Sequence, residues 1–125
     1  MPKRQHGHYV GLAVYDYCNM YCTSNTVDGR WNAWVDPIPG NDQDNGLIHQ
    51  YNLAQAHGKP IAFTEWGLWP ASRSPGGGDT PSFVQRFAQW RKDHSAAYEI
   101  YNDVGDHLLD NYPNAKAEYK TQFGS

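Results

Sequence analysis

The sequence predicts an α/β domain built on parallel strands. Two short runs, Val10 to Val14 and Ile61 to Phe63, are apolar with little alternation, the pattern of strands buried within a parallel sheet. Segments of helical period lie between and after them, giving the order strand, helix, strand, helix, strand, helix. Alternation of this kind joins parallel strands through right-handed crossovers, here in about three β/α units. A length of 125 residues gives one domain with a modest core.

Tyr9 to Tyr15 is the first strand, expected to be buried on both faces. Asp16 to Gln43 reads as a long loop rich in Asn, Asp, Gly and Pro, with Trp31 and Trp34 embedded in it. Loops of that length in a compact domain are functional or disordered. Asp44 to His57 reads as a helix, because Leu47, Tyr51 and Ala54 share one face with Ile48 beside them. Gly58 closes it and Pro60 forbids its continuation. The second strand is Ile61 to Thr64. The loop from Trp66 to Asp79 follows, with Pro70, Pro75 and Gly76-Gly77-Gly78. Thr80 is a good N-cap with Pro81 at the first helical position, and Phe83, Phe87 and Trp90 recur at helical spacing. Ala96 to Tyr101 is the third strand. Pro113 opens a last helix with Ala115, Tyr119 and Phe123 on one face.

Composition excludes several classes of function. The formal net charge is −3, from 10 Lys and Arg against 13 Asp and Glu, and there is no basic stripe to hold nucleic acid. The apolar runs are far too short to cross a bilayer, so no membrane partner is expected. No charged region leading into an apolar stretch of signal-peptide length opens the chain, which points to a soluble protein, intracellular or a mature product. Cys18 and Cys22 lie in one polar loop without a second pair, which gives no zinc ribbon. Two readings stay open for them, free thiols or a local disulfide, and the compartment stays undecided. His6-Gly7-His8 has a spacing that some metal sites use, but no third ligand is identifiable, so no metal and no cofactor is expected. Gly76-Gly77-Gly78 lacks the Lys-Ser/Thr of a phosphate loop.

The candidate chemistry centres on Ile61-Ala62-Phe63-Thr64-Glu65-Trp66-Gly67. Parallel α/β folds place their reacting groups at the carboxyl ends of strands, where Glu65 falls. It is a candidate nucleophile or proton carrier; a capping carboxylate in a salt bridge is the alternative. Aromatic residues make up 14% of the chain, including 5 Trp and 9 Tyr. Trp66 and Trp69 suit a flat, many-hydroxylled ligand such as a sugar, or else pack beneath the loop. Trp31 is a further candidate contact in the long loop. Asn102 and Asp103 follow the third strand and are placed to meet hydroxyls, although Asp103 also suits the cap of a helix starting near Val104.

Gly58-Lys59-Pro60-Ile61-Ala62-Phe63-Thr64-Glu65-Trp66-Gly67-Leu68 and Gly77-Gly78-Asp79-Thr80-Pro81-Ser82-Phe83 resemble stretches of retaining glycoside hydrolases with (β/α)8 barrels. The likeness is greatest to the family 26 β-mannanase-like group, with family 5-like enzymes of the same clan behind it. Val10 to Tyr17 is similar to the sixth strand of those barrels, and Tyr112 to Gly124 resembles their final helix. The resemblance implies a partial TIM barrel in which Glu65 is the nucleophile. It further implies that Tyr15 presents its hydroxyl to that nucleophile, a hydrogen bond that favours the ionised carboxylate; a core tyrosine is the alternative. The implied substrate is a β-linked oligo- or polysaccharide, mannan or glucan, and the resemblance suggests a secreted protein.

A retaining glycosidase needs a second carboxylate as acid/base about 5–5.5 Å from the first. The family carries it at the end of the fourth strand, and nothing here matches that segment. Asp16, Asp79 and Asp103 are the best-placed carboxylates in the rim loops, and Asp16 is also a candidate substrate contact. A complete barrel has eight strands in about 250 residues. Three parallel strands leave two edges and an apolar inner face open, so self-association into a homo-oligomer is expected.

Overall fold

The computed structural model of the chain describes residues 9–40, 46–73 and 75–124. Three strands, β1 (Val10–Tyr15), β2 (Ile61–Gly67) and β3 (Glu99–Tyr101), form one open parallel sheet in the order β1-β2-β3. Four helices accompany them: α1 (Val27–Val35), α2 (Leu47–Ala56), α3 (Pro81–Asp93) and α4 (Pro113–Phe123). Two single 3-10 turns, Gly105–His107 and Leu109–Asn111, carry the chain from β3 to α4. The α/β class and the parallel pairing are therefore those expected.

Several local signals act as their chemistry predicts. Helix α2 ends in a full Schellman motif, in which Gly58 N donates to Gln55 O and Lys59 N to Ala54 O. Pro81 and Pro113 stand at the first positions of α3 and α4. Phe83, Phe87 and Trp90 are all buried, and Ala115 with the partly buried Tyr119 and Phe123 joins the same core. Thr80 occupies the N-cap of α3, but its hydroxyl donates to Gly77 O at 2.6 Å instead of capping the helix.

Other expectations need correction. The segment read as a loop from Asp16 to Gln43 contains helix α1, whose N-cap Thr26 accepts a hydrogen bond from Gly29 N at 3.0 Å. Helix α2 covers Leu47–Ala56, and Ile48 points outward, 40% exposed. Strand β1 is buried on one face only. Leu12 and Val14 enter the core, while Gly11 is exposed and Ala13 and Tyr15 are half-buried. Small apolar residues on the open face disguised that alternation.

The most consequential departure from regularity lies in β2. Leu12 pairs with Phe63 but Ala13 pairs with Glu65, and on the other side Phe63 pairs with Glu99 but Trp66 with Tyr101. Both registers slip by one residue, so β2 carries a bulge at Thr64. In a regular strand Phe63 and Glu65 would share a face. Here Phe63 and Trp66 both enter the core, fully buried, while Thr64 and Glu65 are exposed. Gly11 gives the bulge its room: a Cβ there would come within 3.2 Å of the Thr64 methyl carbon. The one extra residue turns a carboxylate out of the core and an indole into it.

Candidate active site

Glu65 stands exposed at the carboxyl end of β2. The Tyr15 hydroxyl, from the end of β1, donates to Glu65 Oε2. Asn102, directly after β3, donates from Nδ2 to the same hydroxyl at 3.1 Å. The ends of all three strands thus contribute to one polar chain. Burial, reinforced by the bond to Glu65, pushes the Tyr15 phenol up to about 12. The hydroxyl therefore stays protonated across the neutral range and acts as a donor to the carboxylate.

An aromatic wall borders this chain. Trp69 meets Tyr15 edge-on with ring centres 5.7 Å apart, and Tyr17 lies 4.7 Å from Trp69 and 5.6 Å from Trp34. The His107 ring packs 5.2 Å from Tyr15 and 5.0 Å from Trp69. Arg73 lies over the Trp69 indole at 5.0 Å and pairs with Asp106. The loop is tied to the segment after β1 by Cys18 N donating to Pro75 O at 2.9 Å and by a Tyr17–Gly76 bridge. Cys18 and Cys22 form a disulfide, the second of the two readings left open.

Three of the candidate contacts lie elsewhere. Trp66 is fully buried, stacked 3.8 Å from Phe87, with its indole N–H donating to Glu99 Oε1 at 2.6 Å; the bulge removes it from any sugar-facing surface. Trp31 is buried on α1, edge-on to Phe83 at 5.5 Å, because the supposed loop is a helix with an inner face. Asp16 is fully buried and pairs with Arg30, whose Nη1 donates to Asn25 Oδ1 at 2.9 Å. Burial raises the Asp16 carboxyl above its ordinary value, and the bond and charge of Arg30 oppose that rise. Gly77 N donates to Asp16 O at 3.0 Å, and a Cβ on Gly77 would sit 2.0 Å from Asp16 Oδ2. Only glycine fits there. Asp16 is thus a clamp between β1, α1 and the Gly-rich loop, not a contact for ligand.

The remaining rim aspartates are also engaged. Asp79 accepts from Asn114 N at 3.1 Å, Asn114 Nδ2 at 3.0 Å and Ala115 N at 2.7 Å, fixing the start of α4. Asp103 accepts from Leu109 N at 2.8 Å and closes the turn after β3; the 3-10 turn that begins at Gly105 has Val104 at its N-cap and no side-chain cap, so Asp103 is not the cap of a helix near Val104. Sequence reasoning passed over Tyr17, Arg73 and His107. Their one available signal was position, since each lies in a segment that follows a strand. Among the described residues, no group of three or more His, Cys, Asp or Glu could hold a metal ion, and no helix is long and apolar enough to cross a membrane. His6 and His8 lie outside the described residues. Comparison with protein-family models, curated proteins and solved structures gives no match.

Proposed function

We propose that the chain is a partial TIM barrel of the family 26-like kind that hydrolyses β-linked polysaccharide, mannan or glucan, by double displacement with Glu65 as nucleophile. The observation that carries this reading is Glu65 itself, turned onto the open rim by the bulge and held by the Tyr15 hydroxyl. Asn102 and the Trp69 wall then supply polar and stacking contacts for the sugar. Activity on 2,4-dinitrophenyl β-mannoside or β-glucoside tests it, because such a leaving group departs without an acid. Glu65→Ala is expected to lower kcat/KM by at least about 10³-fold, the scale of removing a covalent nucleophile. Equal turnover by wild type and variant defeats the reading.

The engagement of every rim aspartate named above favours a second reading, a non-catalytic carbohydrate-binding or structural remnant of such a barrel. It predicts oligosaccharide binding by calorimetry with no turnover of the activated glycoside. Either reading leaves β1 and β3 as open sheet edges and Ile100 53% exposed on the face opposite the helices. A second copy covering those edges is the expected partner. Light scattering should show the mass rising with concentration; a constant monomer mass across the micromolar range removes the self-association.

A further inference from the structure

We propose that His107 is the proton carrier that completes the Glu65 site, an inference that rests on the glycosidase reading above. Its Nδ1 lies 2.7 Å from the Leu68 carbonyl oxygen. A carbonyl only accepts, so Nδ1 must carry the hydrogen, which assigns the lone pair of the neutral ring to Nε2. Among the described residues, nothing bonds to Nε2. The backbone of His107 is held as well. Leu68 N donates to the Tyr101 hydroxyl at 3.1 Å, and that hydroxyl donates to His107 O at 2.6 Å. With the Nδ1 bond this closes a clasp in which the backbone of Leu68 meets His107 twice, once directly and once through Tyr101. Such outer hydrogen bonds fix the tautomer and aim of a working imidazole.

The ring lies beside the site. The imidazole packs against Tyr15, whose hydroxyl touches Glu65, so a single phenol ring separates the two groups. Trp69 flanks the same ring at 5.0 Å. Asp16, Asp79 and Asp103 are committed to Arg30, to the start of α4 and to the Leu109 turn, and Asp106 to Arg73. Within the aromatic wall, Nε2 of His107 is a nitrogen lone pair that no described residue occupies.

The steps balance without a cofactor. Glu65 attacks the anomeric carbon and the glycosidic bond breaks. The imidazolium gives its Nε2 proton to the departing oxygen, releasing an alcohol and leaving a glycosyl ester on Glu65. Neutral Nε2 then takes a proton from water as the water oxygen bonds to the anomeric carbon. The ester breaks, and carboxylate and imidazolium are restored.

His107→Asn separates this role from a structural one, since the shorter amide can still donate to the Leu68 carbonyl but has no counterpart of Nε2. For a phenyl β-glycoside, kcat/KM is expected to fall about 10²–10⁴-fold, the usual contribution of a general acid. For the dinitrophenyl glycoside it falls less than about tenfold, and a burst of dinitrophenol precedes slow turnover. Azide, which needs no base, restores that turnover and yields the β-glycosyl azide; rescue also shows that the variant is folded. Equal losses on both substrates, or no rescue, overturn the role of His107 while leaving Glu65 as nucleophile. A wild type inactive on both substrates overturns the glycosidase reading and this inference with it.

Discussion

Arg30→Met is expected to destabilise the protein by about 3–5 kcal/mol at neutral pH, because it strands a buried carboxylate without its counter-charge. Asp16 is fully enclosed, and Gly77 leaves no space for it to move. A loss of this size is a large part of the roughly 5–15 kcal/mol that holds a domain folded. The deficit should depend on pH in a definite direction. Burial already holds the Asp16 carboxyl above its ordinary value, and Arg30 supplies the interactions that pull it down. Their removal raises it further. A folded-state value above the unfolded one means that the folded protein binds the proton more tightly. The associated stability is complete below the usual carboxylate range and is lost as pH rises through the raised value. Thermal melts should therefore bring variant and wild type close together near pH 4 and separate them near pH 7. A deficit that does not change with pH contradicts the buried ion pair as its source.

The two tryptophans that flank Gly67 and Leu68 should respond in opposite ways. Trp66→Ala removes an indole packed against Phe87, Tyr101 and Tyr119, and with it the N–H that donates to the Glu99 carboxylate. Large-to-small changes of this kind in a closed core cost about 3–5 kcal/mol. Trp69→Ala acts at the half-buried rim, where about 1 kcal/mol is the common scale, but it removes the centre of the aromatic wall beside Glu65. Urea melts should rank Trp66→Ala as far less stable. Calorimetry with manno- or cello-oligosaccharides should show the loss of affinity in Trp69→Ala. Reversal of that ranking would place the sugar surface elsewhere.

Much of the scaffold was legible because local signals and tertiary structure agree. The helical spacing of Phe83, Phe87 and Trp90, the prolines that open α3 and α4 and the Gly58 terminator all sit where those patterns require. The strand-end position of Glu65 was legible as well, and the structure joins Tyr15 and Asn102 to it. Helix α1 was hidden because a charged residue, Arg30, stands on its buried face, and what closes that face is a salt bridge to Asp16 fourteen residues earlier. No period encodes such a pairing. Trp66 was misplaced for a different reason. Strand parity assumes one residue per step, and β2 violates it at Thr64. His107 was invisible because its setting depends on Leu68 and Tyr101, which are distant in sequence and meet only in the folded rim.

Strand β2 can be compared to a message with a reading frame. Upstream of Thr64 the core cluster takes Ile61 and Phe63, one phase of the strand; downstream it takes Trp66 and Leu68, the other. What matters at Thr64 is that the pairing skips it, more than its hydroxyl. Exchanging its side chain alters a local contact, whereas pairing Thr64 as an ordinary ladder residue would shift the phase of everything after it. The same letters Glu-Trp-Gly would then spell an inward carboxylate and an outward indole. The chemical identity of this rim is thus written partly in an integer.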